Sequence, residues 1–164
     1  MDEFSRPATF EDLKLLLRSL HAHGADYLLI GGYALAAHGY QRATTDIDVV
    51  VPATLQAGQR VKDALMALPD GAAKDIEPKW FEEGGNIRVA DAFVVDLMLT
   101  ANGETYDTLS QYAETIELDG IPVKTISLEG LLLTKKTTRD KDVADRIIIE
   151  RALEVFRSDA KGND

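Results

Sequence analysis

Two aspartates separated by one residue, Asp46 and Asp48, stand at the start of a short apolar run over residues 49–51. In an extended strand, residues two apart point to the same face, so the two carboxylates would lie roughly 6–7 Å apart with Ile47 turned toward the core. Like charges this close repel unless a cation lies between them, and hard divalent ions such as Mg²⁺ prefer oxygen ligands. The pair therefore indicates a metal site. The alternative is a turn at residues 44–46, with Asp48 merely exposed at the start of a strand.

A third aspartate, Asp96, interrupts residues 92–99, a run that is apolar on both faces of the predicted strand. An unpaired carboxylate is costly to bury, so this side chain requires compensation. An arginine partner or backbone donors would provide it locally. A metal ion shared with Asp46 and Asp48 would instead explain all three acids at once.

Gly31 and Gly32 follow a predicted strand and precede an alanine-rich helical pattern. Free backbone N–H groups at the start of a helix can bind anions, and a residue without a Cβ lets a phosphate approach closely. The pattern lacks the G-x-G-x-x-G spacing of dinucleotide-binding folds, and the chain has no Gly-Lys-Ser/Thr of a P-loop. We therefore expect either a phosphate site of another kind or a plain tight turn.

The densest basic group in the chain lies near its C-terminal end. It could neutralise phosphate charge, but the acids interleaved with it fit a solvated helix face equally well. Arg42, just ahead of the paired acids, is a second candidate for holding a phosphate. The basic group comprises Lys135, Lys136, Arg139 and Lys141, interleaved with Asp140, Asp142 and Asp145.

Strands and helices alternate along the chain in a way that would position these residues. Thr9 is a predicted N-cap for the first helix, and Asp119-Gly120 is a strong hairpin signal. Because two hairpins make part of the sheet antiparallel, the pattern predicts an α/β (α+β) fold with a mixed, twisted sheet of about five strands and helices packed on it. Strand patterns cover residues 27–30, 46–51, 86–90, 92–100, 114–118 and 121–126, and helical patterns cover residues 10–20, 33–38 and 56–68 and begin again at 128.

Length and composition predict one domain, with a sheet core at residues 25–126, C-terminal helices at 127–157 and a frayed tail at 158–164. The chain has 164 residues, no cysteine and a formal net charge of −10. The start lacks an apolar targeting segment, and no run approaches the ~18 apolar residues of a membrane span, so we expect a cytoplasmic protein without membrane contact. The charge disfavours bulk nucleic-acid binding but allows a small anionic substrate beside a bound cation.

The order of these features resembles the DNA polymerase beta-like nucleotidyltransferase superfamily. The stretch from Gly31-Gly32 to Asp46-Ile47-Asp48, followed by apolar residues and later by Asp96, carries the resemblance. More narrowly, it is similar to the GG-type branch that includes the AbiEii-like toxin nucleotidyltransferases. That branch carries a C-terminal lysine, here Lys135, and then an Arg-x-Lys-Asp-x-x-Asp pattern, here residues 139–145.

This resemblance implies the polymerase beta-like nucleotidyltransferase fold and a reaction that moves a nucleoside monophosphate from a nucleoside triphosphate to an acceptor hydroxyl, releasing pyrophosphate. It implies that Asp46, Asp48 and Asp96 are the catalytic residues and hold two Mg²⁺ ions, and that Asp96 can take the acceptor's proton. The nucleotide contacts it implies are Gly31, Gly32, Tyr33, Arg42, Thr45, Lys135, Lys136 and Arg139.

The acceptor stays open at this stage. RNA, tRNA or protein would match toxin-type relatives, and a cognate antitoxin would then be a partner. A small hydroxylated compound would match antibiotic nucleotidyltransferases, and a non-catalytic nucleotide-binding module is a further alternative. A homodimer could complete the acceptor cleft. Four aromatic residues could line it or simply pack in the core: Trp80, Phe81, Tyr106 and Tyr112.

Overall fold

The protein is described here by a computed structural model that covers residues 5–40, 44–135 and 140–162. Short 3-10 turns lie at Ala72–Asp75 and Ser110–Tyr112. The other elements are α1 (Phe10–Ala22), β1 (Leu28–Ile30), α2 (Gly31–Ala37), β2 (Ile47–Val50), α3 (Leu55–Leu65), α4 (Lys79–Glu83), β3 (Ile87–Ala90), β4 (Val94–Met98), α5 (Tyr106–Leu109), β5 (Ala113–Leu118), β6 (Ile121–Ile126), α6 (Leu128–Thr134) and α7 (Asp140–Gly162).

Six strands form one open, mixed sheet in the order β3-β4-β2-β1-β6-β5. The pairs β3-β4, β2-β1 and β6-β5 are antiparallel, and two parallel ladders, β4-β2 and β1-β6, join them. The predicted fold class is confirmed, with six strands where about five were expected. Both predicted hairpins are present, and Asp119 and Gly120 have the positive φ angles, 50° and 81°, that a tight hairpin turn requires.

Helix α1 shows how local sequence sets one element. Thr9 caps it as predicted: the Thr9 hydroxyl accepts from the Asp12 N–H, and the Asp12 carboxylate accepts from the Thr9 N–H. Its apolar stripe packs against α3 and β6, so burial of that face stabilises the helix. The fully buried members of the stripe are Leu13, Leu16, Leu17 and Leu20.

The C-terminal segment differs from its sequence pattern in two ways. Val143 and Ile147 follow the helical spacing of apolar residues in this segment, but their side chains are 37% and 46% exposed, and Ile149 is fully buried. Helix α7 also continues to Gly162, so the backbone of residues 158–162 is helical where a tail was expected. Packing against α6 selects the buried face, and the short run of three isoleucines left the phase of that face ambiguous. Within the described ranges, none of the helices combines the length and apolarity needed to cross a membrane.

Candidate active site

Strand register brings the three predicted acids to one end of the sheet. In the parallel ladder between β2 and β4, Asp48 lies directly opposite Asp96. Residues opposite each other in a ladder point to the same side of the sheet, so these carboxylates are neighbours. Asp46 precedes β2 by one residue and shares the face of Asp48. The structure therefore places Asp96 on the same side as the pair, across one strand spacing of ~4.8 Å.

A cavity of about 440 Å³ opens over this end of the sheet. All three acids border it, together with predicted nucleotide contacts from the start of α2, from the loop before β2 and from the residue after α6. None of the four aromatic residues considered for an acceptor pocket is among the described residues that line it. The lining residues are Ile30, Gly31, Thr44, Thr45, Asp46, Asp48, Arg88, Asp96, Met98, Ala101, Asn102, Thr134 and Lys135.

Gly31 and Gly32 lie where other side chains come too close for a Cβ atom. Gly31 has φ +71°, and a Cβ there would lie 2.3 Å from Asp48 Oδ2. A Cβ at Gly32 would lie 2.7 Å from the side chain of Thr44. Helix α2 begins at Gly31 itself, so no separate turn lies between β1 and α2. Both glycines are therefore required for Asp48 and the loop before β2 to sit against the start of α2.

Tyr33 does not contribute its side chain to this cavity. Its ring is buried, it meets Phe10 edge to face at 5.5 Å between centroids, and its hydroxyl donates to the Ala8 carbonyl at 2.5 Å. Burial raises the pKa of this hydroxyl. The Tyr33 side chain thus packs against the N-terminal segment instead of lining this cavity, and a nucleotide contact by this residue stays a prediction. Thr45 does line the cavity.

The cavity also holds a residue that sequence reasoning missed, Arg88. It lies opposite Asp96 in the β3-β4 ladder, so Arg88, Asp96 and Asp48 form one row across three strands. Its Nη1 donates to both oxygens of Asp96 at 3.3 Å, and its Nη2 donates to Asp46 Oδ2 at 3.1 Å. The arginine partner considered for Asp96 therefore exists. One sequence signal could have found Arg88. Side chains alternate between the two faces along β3, so Arg88 faces away from Val89, which is buried.

The donor set suits a hard divalent cation, because three carboxylates border one cavity. In this arrangement, however, the Arg88 guanidinium lies between Asp46 and Asp96. Within residues 5–40, 44–135 and 140–162, no three or more His, Cys, Asp or Glu side chains are arranged to hold a metal ion. The three carboxylates are thus ligands of the type that Mg²⁺, the predicted ion, prefers. In the structure, the Arg88 guanidinium supplies the positive charge beside Asp46 and Asp96.

A second charged cluster borders the cavity from the side of α6. Lys135 is only 8% exposed, and its Nζ lies 3.4 Å from Asp142 Oδ1 and 3.3 Å from Asp145 Oδ2. Arg146 also donates to the Lys135 carbonyl, at 2.5 Å. Asp142 and Asp145 are buried, so the interpretation of this segment as a solvated helix face is wrong for them. Their pairing fixes the Lys135 ammonium, and Lys135 is one of the residues that line the cavity.

Three of the predicted nucleotide-binding residues, Arg42, Lys136 and Arg139, lie outside the described residues. The side chains of Asp140 and Lys141 lie outside them as well.

A smaller cavity of about 230 Å³ adjoins the first. The two cavities share Thr45, Asp46 and Arg88, so the Asp46–Arg88 ion pair stands in the wall between them. The other residues lining the smaller cavity are Ser5, Arg6, Pro7 and Val94.

Comparison with known proteins places the fold. No protein-family model matches the chain, and no curated protein matches it. Several chains of solved structures do match, and two of them are described as nucleotidyltransferases. One is TM1012 of Thermotoga maritima, described as a candidate nucleotidyltransferase, at 14% identity and a TM-score of 0.52 over 94% of this chain and 92% of that one. The other is the lincosamide antibiotic adenylyltransferase LnuA with lincomycin bound, at 16% identity and a TM-score of 0.56 over 88% of this chain and 98% of that one. The chain therefore shares its fold with nucleotidyltransferases.

Proposed function

We propose that this protein is a metal-dependent nucleotidyltransferase that moves a nucleoside monophosphate from a nucleoside triphosphate to an acceptor hydroxyl and releases pyrophosphate. The observation that carries the proposal is the register of β2 and β4, which sets Asp48 beside Asp96 at a cavity that Asp46 also borders. A fold shared with nucleotidyltransferases supports it.

The sheet order divides the cavity into two sides. Gly31 follows β1 and Lys135 follows α6, whereas Arg88 lies on β3, beyond the acids. We assign the outer phosphates to the side of Gly31 and Lys135, where a buried ammonium can neutralise the departing pyrophosphate. Because in-line displacement brings the acceptor from the opposite direction, the acceptor would enter on the Arg88 side. Helix α2 has only seven residues, so its dipole is a minor contribution.

The reaction forms a bond from the acceptor oxygen to the α-phosphorus and breaks the bond from that phosphorus to the oxygen bridging to the β-phosphate. Asp96 would accept the proton of the acceptor hydroxyl. Asp46, Asp48 and Asp96 would hold Mg²⁺, which supplies the positive charge that the triphosphate needs in a protein of net charge −10. Gly31, Gly32, Thr45 and Lys135 would bind the nucleotide.

For the acceptor, we propose RNA or protein, as in toxin-type relatives of the resembled branch, and a cognate antitoxin as the partner that restrains the activity. A chain without cysteine is suited to a reducing compartment, so we propose the cytoplasm as its location. The structural similarity to a lincosamide adenylyltransferase favours a second candidate, a small antibiotic-type acceptor. A homodimer would offer either acceptor a larger cleft.

The Arg88 ion pairs favour a further alternative, a nucleotide-binding module without turnover, because they satisfy two of the three acids. Transfer of label separates these possibilities. We expect the protein, incubated with Mg²⁺ and each α-labelled triphosphate, to label one class among tRNA, protein, aminoglycoside and lincosamide acceptors. Asp48→Asn and Asp96→Asn should each reduce labelling by about 10²–10³-fold. Asp63→Asn, on the exposed face of α3, is the matched control. Nucleotide binding without any label transfer would support the module and contradict the enzyme.

A further inference from the structure

The guanidinium of Arg88 occupies a position that is chemically equivalent to that of a bound cation. It touches both oxygens of Asp96 and one oxygen of Asp46, on two different segments of the chain. Without a positive charge here, three carboxylates around one cavity would repel one another. The distances, 3.1 to 3.3 Å, are longer than the ~2.7–2.9 Å of tight charge-assisted hydrogen bonds.

We infer that Arg88 is a built-in counter-ion, a positioning residue that keeps Asp46 and Asp96 together in the cation-free protein and must leave before a divalent cation can bind there. The inference rests on the proposed function only in taking these acids as the metal ligands. An oxygen that accepts from a guanidinium and an oxygen that binds Mg²⁺ use the same lone pairs, so the two cations compete for the same atoms.

The surroundings of Arg88 allow this exchange. Its side chain is 48% exposed, whereas those of Asp46 and Asp96 are 26% and 19% exposed. It lies on β3, the strand at the edge of the sheet, and already borders the smaller cavity beyond the Asp46 wall. A guanidinium displaced from the acids has that cavity to turn into. It would then carry its positive charge to the side from which the acceptor enters, away from Lys135.

Binding of Mn²⁺ to the nucleotide-free protein, followed by electron paramagnetic resonance, tests the exchange without requiring any activity. Arg88→Met removes the charge and keeps the length of the stem. We expect it to bind Mn²⁺ about tenfold more tightly than the parent protein, because a like charge at ~4–6 Å changes such equilibria by one or more powers of ten. Arg60→Met, an exposed arginine on α3, is the matched charge control and should leave the affinity within about twofold.

Arg88→Lys provides a second measurement that does not depend on the methionine variant folding. A point-like ammonium cannot span two carboxylates as a guanidinium does, so we expect Mn²⁺ affinity between those of the parent protein and Arg88→Met. Thermal melting adds an independent readout: Arg88→Met should melt below the parent protein without metal, and saturating Mn²⁺ should remove most of that difference.

The outcomes are distinguishable. Equal or weaker Mn²⁺ binding by both Arg88 variants, with clear binding by the parent protein, overturns the counter-ion role and leaves the proposed function intact. If no variant binds Mn²⁺ at all, the metal-dependent function and the inference fail together. Tighter binding in both variants, with Arg60→Met unchanged, supports the inference.

Discussion

Two charged clusters border the same cavity and differ in burial. At the β2-β4 end, Arg88 is half-exposed and pairs with Asp46 and Asp96 across strands. At the α6-α7 end, Lys135 is 8% exposed and pairs with two carboxylates that are 0% and 2% exposed. Exposed pairs contribute little to stability and exchange readily with other ions, whereas a buried pair cannot lose one member without leaving an uncompensated charge. The first cluster is thus suited to changing partners during a reaction, and the second to keeping one group in place.

The largest expected effect tests the buried cluster. Lys135→Met should lower the free energy of unfolding by about 3–5 kcal/mol, because two buried carboxylates would lose their cation. Urea denaturation measures this, with Lys74→Met at an exposed position as the control. Adding Asp142→Asn to Lys135→Met should recover part of the loss. A cost below about 1 kcal/mol, the range of exposed pairs, would erase the contrast between the two clusters.

The next effect concerns activity at the exposed cluster. Asp48→Asn should reduce nucleotidyl transfer by about 10²–10³-fold, the usual cost of removing one electrostatic contributor in an active site. Its melting temperature should stay close to that of the parent protein, because asparagine has nearly the same size and shape as aspartate. Single-turnover transfer and a thermal melt, measured on the same preparation, give both values. A variant that transfers normally would remove Asp48 from the site.

A smaller effect separates backbone strain from crowding at the cavity. Gly31→Ala places a Cβ against Asp48 at a positive φ, whereas Gly24, at φ +61°, has no atom within 4 Å of the added Cβ. Gly24→Ala should cost about 1–2 kcal/mol of stability, the usual cost of a left-handed conformation, and Gly31→Ala should cost more because its Cβ also meets Asp48. Only Gly31→Ala should also impair transfer, because the Asp48 carboxylate must move. Equal activity in the two variants would contradict the close-approach explanation of Gly31.

The smallest effect is a pH dependence at Asp12, which belongs to neither cluster and pairs with Arg6. Hydrogen bonds from Arg6 hold the pKa of Asp12 below its usual value, so the stabilisation is present above the unfolded pKa of ~3.9 and disappears as the pH falls through the lower folded pKa. Asp12→Asn should therefore be less stable than the parent protein at neutral pH. The difference should shrink progressively below about pH 4 in urea titrations at several pH values. A difference that persisted unchanged at low pH would mean that the side chain's charge is not what stabilises α1.

Some features of the fold and of the site depend only on residues that are close together in the chain, and the sequence therefore predicted them. The Thr9 cap, the hairpin at Asp119-Gly120 and the shared face of Asp46 and Asp48 all depend on residues within three positions of one another. Patterns of period two, or of cap and third residue, are properties of a short stretch of backbone. The mixed sheet was predictable for the same reason, although about five strands were expected and six are present.

Register, burial and helix phase were decided by packing between distant segments. The predicted hairpin brings Arg88 near Asp96, but the register of β3 with β4 and the pairing of β4 with β2 decide that Arg88, Asp96 and Asp48 form one row. The sequence allowed Asp142 and Asp145 to lie on a solvated helix face, whereas packing of α6 against α7 buries them, and the Tyr33 side chain packs against Phe10 instead of lining the cavity.

By itself, the sequence determined which side chains could do the chemistry: three acids, two adjacent glycines and a basic segment, in an order that resembles one superfamily. The tertiary structure alone decided which cation meets those acids and which lysine is held at the cavity. The physical reason is the distance along the chain over which each property is set. Chemical type and local periodicity depend on adjacent residues, whereas the charge that faces a carboxylate depends on which strands and helices pack beside it.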